Sequence, residues 1–219
     1  MLEIKHKRTH LVLVQIDAET LEGKKMPGSR LRGADLAGAN LEGADLINSD
    51  LRDADLAGAN LAGARLNGAC LDGANLVHAN LTGADLTDAR LEHAEMQDAR
   101  LHGANLRYAH LQQASLCNAD LSGADLSMAD LRADLHDAKL MRADLRAADL
   151  SGADLRGANL QEANLQGAKL MSAQLAGANT SGMIDVQGRK LMLQPTPPKP
   201  RGKAPKKPPQ PWWQFWRRK

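Results

Sequence analysis

Side chains suited to filling a globular core are almost missing: aromatics make up 2% of the 219 residues, as three Trp, one Tyr and one Phe. A core built as one three-dimensional jigsaw draws heavily on such groups, so a conventional globular interior is excluded. Cysteine is scarce too. Cys70 and Cys117 stand forty-seven residues apart, too few for a disulfide scaffold, and reduced surface thiols in a cytoplasm are the expectation. No apolar run reaches the ~20 residues that a spanning helix needs. The charged start Met1-Leu2-Glu3-Ile4-Lys5 does not read as a signal peptide. No Ser/His/Asp grouping, phosphate-binding loop or paired-Cys motif stands out. An enzyme would have no residues to rest on, so no catalytic residue, metal or cofactor is expected.

What the chain has is leucine at every fifth position. Thirty units run from Leu31 to Leu175, twenty-one of them ending at Leu131 and nine more starting at Leu135. The central residue is Leu except at Met96, and the residue two before it is Ala except at Ser29 and Ser49. Between them Asp or Asn is common, as in Ala34-Asp35-Leu36 and Ala39-Asn40-Leu41. On an α-helix five residues advance about 500°, which would scatter the leucines around the barrel. The spacing also misses the coiled-coil mean of about 3.5.

Ala and Leu two apart share one face of an extended segment. An odd period flips the next pair outward unless the chain turns a corner inside each unit. Gly often stands two after the leucine (Gly38, Gly43, Gly58, Gly63), where a corner needs relaxed backbone angles. Four corners close a square coil of twenty residues, and stacked coils keep every Ala and Leu inside. The expectation is an all-β solenoid of about seven and a half coils, roughly 36 Å long at ~4.8 Å per coil. Such a fold tolerates a core without aromatics because it repeats identical small layers.

The A(D/N)LxG pattern resembles the pentapeptide-repeat family over about residues 29–180. The resemblance implies a right-handed quadrilateral β-helix. It also implies a possible role known from some members, an acidic DNA-mimic rod binding a type II topoisomerase, and a possible homodimer through a C-terminal end.

Residues twenty apart should stack. One column runs Asn40, Asn60, Asn80, Arg100, Asp120, Lys139, and another Asp45, Arg65, Asp85, Asn105, Asp125. Asn over Asn allows an amide ladder. His78, His93, His102, His110 and His136 fall at outward positions, and none stands twenty residues from another histidine or a cysteine. The period breaks once, in Leu131-Arg132-Ala133-Asp134-Leu135, where a corner is one residue short. Around that break lies the most acidic part of the rod: Asp120, Asp125, Asp130, Asp134, Asp137, Asp144, Asp149 and Asp154 against four bases. Those aspartates form a candidate partner patch.

Flanking segments differ in character. Residues 1–28 read as an N-terminal hairpin cap, with strands in Glu3–Lys7 and Leu11–Ile16. Residues 181–194 read as a C-terminal cap, and 195–219 as a Pro/Lys-rich disordered tail. That tail carries Trp212, Trp213, Phe215, Trp216, Arg217, Arg218 and Lys219. The charge is split. Residues 29–180 hold 13 Lys/Arg against 21 Asp/Glu, net −8, and the last 39 residues hold 10 against 1, net +9.

Tryptophans flanked by bases suit an anionic membrane surface, and the same chemistry can engage nucleic acid. The expectation is a non-catalytic scaffold that binds another protein, tethered to a membrane surface by its tail. Direct nucleic-acid binding is the lesser alternative. The expected location is cytoplasmic, peripheral at the inner face of the membrane.

Overall fold

The computed structural model describes residues 1–191. Its frame is a ladder of single parallel bridges between residues one coil apart. Four such columns run the length of the rod: Arg30 to Lys169, Asp35 to Gln174, Asn40 to Asn179, and Lys25 through Asp45 to Ile184. Each column defines one flat face, called here the Arg30, Asp35, Asn40 and Asp45 faces. Pairing thus begins at Lys25 and ends at Ile184, slightly outside the 29–180 span read from the repeat.

The backbone explains why the repeat has five positions. At Leu56 the N–H donates to the Asn75 carbonyl of the next coil, and at Gly58 it donates to Val77. The Ala59 N–H closes a turn onto the Leu56 carbonyl at 3.0 Å, and the Asn60 N–H reaches back to Ala39. Only the N–H of the residue after the leucine has no backbone acceptor. The side chain of the residue before the leucine supplies one: Asp55 Oδ1 accepts from Ala57 N–H at 3.2 Å, and Asn75 Oδ1 from Val77 N–H. Asp or Asn therefore stands there as a local Asx acceptor.

The position two after the leucine takes a positive φ in every five-residue unit, whether or not it is glycine. That angle at the third of four turn residues is what a type II turn requires. Sixteen non-glycine residues have such angles, and all but His10 sit at this corner, among them Asn48, Tyr108, Met128 and Ala147.

Inside, the leucines from Leu41 to Leu165, with Met96, are fully buried or nearly so, and the alanines line the remaining corners. This single column of methyl and isobutyl groups is the core.

Two strands form the N-terminal cap. β1 (Leu2–Lys5) pairs antiparallel with β2 (Val12–Ile16), Leu2 facing Ile16 and Ile4 facing Val14. The outer edge of β1 continues onto the first coil: Lys7 N–H donates to Gly33, and Asp35 N–H to Lys5 at 2.7 Å. A Cβ at Gly33 would strike the His6 ring, so the close approach needs glycine there. At the other end the chain folds back over 183–191, with Ile184 antiparallel to Lys190 and Asp185 almost wholly buried beside Arg189.

The short unit at 131–135 is absorbed at one corner. Ala133 N–H bonds to Leu131, two residues back, instead of three, and no positive φ occurs there. The coil that contains it closes in nineteen residues: Ser115 bridges Asp134, and Asp130 bridges Asp149.

Candidate interaction surfaces

The stacking read from the sequence places the two predicted columns on the Asn40 and Asp45 faces. The amide ladder forms: Asn60 Nδ2 donates to Asn40 Oδ1 at 3.1 Å, and Asn80 Nδ2 to Asn60 Oδ1 at 2.9 Å. A second short ladder joins Asn179 to Asn159.

The acidic segment does not converge on one face. Asp130 stacks on Asp149 on the Arg30 face, Asp134 on Asp154 on the Asp35 face, and Asp125 on Asp144 on the Asp45 face. Asp120 lies on the Asn40 face between Arg100 and Lys139. Arginine two residues along holds several of these carboxylates: Arg132 on Asp130, Arg146 on Asp144 and Arg156 on Asp154, each with two nitrogens. Lys169 reaches Asp149 at 3.2 Å. The Arg146 and Arg156 guanidinium groups hold the Asp144 and Asp154 carboxyls below their ordinary range. At Asp130 burial pushes up, but the hydrogen bonds from Arg132 and Gln112 together with the Arg132 charge outweigh it, and the net direction is down. Of the four faces, the Asp35 face has no Lys or Arg in its bridging column: Asp35, Asp55, Asn75, Glu95, Ser115, Asp134, Asp154, Gln174.

The shortened coil creates a neighbour pair that twenty-residue stacking misses. His136 lies directly above Cys117, as the bond from Asn118 N–H to the His136 carbonyl shows. The Cys117 thiol donates to Asp134 Oδ2 at 3.0 Å, and burial, then Asp134, push that thiol up. His136 Nε2 meets Asp137 at 3.2 Å, while its Nδ1 has no hydrogen-bond partner among the described residues. The clue in the sequence was the four-residue gap between Leu131 and Leu135. Among the described residues no group of three or more His, Cys, Asp or Glu is arranged to hold a metal ion, and no helix is long and apolar enough to cross a membrane.

Large apolar side chains are exposed at two places on the described rod. Tyr108 and Met128 stack at the corner after the Asp45 face, with Arg107 lying 5.3 Å over the Tyr108 ring. At the last coil Met171 is 76% exposed, and Leu170, Leu175 and Ala178 are only partly covered. Beside the N-terminal hairpin an open groove of about 730 Å³ is lined by Val14, Ile16, Lys24, Lys25, Met26 and Pro27. The candidate attachment residues Trp212, Trp213, Phe215, Trp216, Arg217, Arg218 and Lys219 lie outside the described residues.

Four bridged faces around a buried column of leucine define a repeat solenoid. The pentapeptide-repeat family model matches in eight copies, over 29–68, 59–98, 69–107, 94–137 and 138–177. The chain belongs to the pentapeptide-repeat family, and its fold is that family's right-handed quadrilateral β-helix.

Among solved structures it is similar to HetL of the cyanobacterium Nostoc sp. strain PCC 7120, a pentapeptide repeat protein involved in heterocyst differentiation regulation. The two are 32% identical over 79% of this chain and 94% of that one, with a TM-score of 0.24. It is also similar to a pentapeptide repeat protein of the Arabidopsis thaliana thylakoid lumen (36% identity, 48% of this chain and 63% of that one, TM-score 0.24). QnrB1, a plasmid-mediated fluoroquinolone resistance protein, is 22% identical over 71% of this chain and 84% of its own, with a TM-score of 0.38. No curated protein matches the chain.

Proposed function

We propose that the chain is a non-catalytic scaffold: its rod presents flat faces to a protein partner, and residues 199–219 attach it to an anionic membrane surface. The observation that supports the scaffold is the unbroken ladder from Lys25 to Ile184, which fixes outward side chains on a regular lattice. Such a surface works by holding a partner. The Asp35 face, acidic along its bridging column, is the face offered to a basic partner surface.

The membrane part rests on composition. Three Trp and one Phe stand within 212–216, among eight Lys/Arg in 199–219. Indole favours the headgroup region, where the ring is buried and its N–H stays hydrogen-bonded. Each base near anionic lipid adds ~1 kcal/mol, and so short a cluster binds peripherally and reversibly.

Co-sedimentation of the full chain and a 1–194 truncation with anionic and neutral vesicles tests the attachment. The full chain should pellet with anionic vesicles alone, and salt should release it. Equal pelleting of both proteins, or of neither, removes the tail as an anchor.

A further inference from the structure

The C-terminal end of the rod is an open interior. In the coils below, Leu150, Leu155 and Leu160 are fully buried, each beneath a further coil. One layer up, Leu170, Leu175 and Ala178 are only partly covered and Met171 projects into solvent. Backbone pairing stops with them. Leu150, Gly152, Leu155 and Gly157 each donate to the coil above. The same positions at Leu170, Ser172, Leu175 and Gly177 find no acceptor among the described residues. The turn at 183–191 closes only the Asp45 side, through Ile184 and Leu191. An apolar end bounded by unpaired backbone invites association unless something covers it.

We propose that the cover is the chain's own aromatic cluster, Trp212, Trp213, Phe215 and Trp216, docked on Leu170, Met171, Leu175 and Ala178. Twenty residues, 192–211, separate Leu191 from Trp212. Even a fraction of their extended reach, ~3.1 Å per residue in a proline-rich strand, spans a coil end. The occupant also matches what the end lacks. The rod's described interior contains no Phe or Trp at all, and every one in the protein stands in those five residues. Aromatic rings bury large areas at low entropic cost, and the flanking bases meet a rod that carries net −8 over 29–180. This inference is independent of the lipid reading and concerns the protein in lipid-free solution.

Trp212, Trp213 and Trp216 are the only tryptophans, so intrinsic fluorescence reports this cluster alone. In lipid-free buffer the full chain should emit to the blue of a synthetic 195–219 peptide and be less quenched by acrylamide. Leu175→Asp should return both readings to those of the peptide. Met171→Asp, at an exposed position that folding does not depend on, should shift them in the same direction. Circular dichroism checks that both variants remain folded.

Peptide-like emission from the wild-type chain overturns the proposal. So does protection that disappears on dilution, which would assign the end to a second copy. A chain that pellets with vesicles yet emits like the peptide in buffer sinks only this inference, and one that is shielded in buffer yet never pellets sinks only the membrane reading.

Discussion

Asp85 and Leu86 sit side by side and illustrate the division of labour in each unit. Leu86 is fully buried between neighbouring coils, whereas Asp85 points outward and accepts from both the N–H and the hydroxyl of Thr87, at 3.1 and 2.6 Å. The alternation was legible in the sequence, because Ala and Leu two apart must share a face. What the outward Asp or Asn does was not. A stacking column suggests a ladder or a solvated charge, and the local bond to the N–H two residues on appears only once the corner is built.

The two residues make a sharp comparison. Leu86→Asp should unfold the rod, since a charge there has no partner. Asp85→Leu should cost ~0.5–1.5 kcal/mol for the lost hydrogen bonds, and Asp85→Asn almost nothing, because the amide oxygen accepts equally. Chemical denaturation of the three variants measures this. Equal losses for Leu86→Asp and Asp85→Leu would reverse the inside and outside assignment.

Corners are the element that the pattern exposes least evenly. Glycine two after the leucine announces a relaxed backbone, yet Tyr108, Met128, Ala147 and Glu162 adopt the same positive φ without it. Burying the next Leu–Ala pair outweighs a left-handed residue's penalty, which is ~1–2 kcal/mol for an ordinary side chain. The position of the short corner was readable from the spacing. Its consequence, His136 above Cys117, was not, since a twenty-residue spacing does not hold through a coil of nineteen. Handedness too came from family resemblance, because a five-residue period is satisfied by a square coil of either hand.

Gly63 and Gly157 separate strain from collision. A Cβ at Gly63 meets nothing, while one at Gly157 runs into the Asp137 carboxylate. Gly63→Ala should cost ~1 kcal/mol from the backbone alone. Gly157→Ala should cost more, and the excess should vanish when Asp137→Ala is added, as a double-mutant cycle in denaturant would read. Equal costs for the two single changes would show that the collision is relieved freely.

As a whole the molecule is a stack in which each coil touches only its neighbours, so its stability is close to a sum of layers and interfaces. The charged surface adds a dependence on acidity to that sum. Asp50, Asp144 and Asp154 are held below the ordinary carboxylate range chiefly by Arg52, Arg146 and Arg156. At the C-terminal turn burial raises Asp185, but the N–H and guanidinium of Arg189 with the Gln187 N–H more than reverse it. A carboxyl lowered in the folded state contributes stability that is fully present above its unfolded value. That stability fades as pH falls through the folded value.

Thermal stability should therefore stay level from neutral pH down to the unfolded carboxylate range, ~4, and fall below it. The decline should be modest for the surface pairs, because Arg two residues from Asp can pair in the unfolded chain as well. Asp185 differs, being buried in the C-terminal turn, where it accepts from the Gln187 and Arg189 N–H groups and the Arg189 side chain. Asp185→Asn should lower the melting temperature at neutral pH and shrink the acid-induced fall. Arg146→Gln should change both only slightly. A melting temperature that holds level to pH 2, or an acid fall that Asp185→Asn leaves untouched, would show that the coil stack alone governs acid stability and that the C-terminal turn carries none of it.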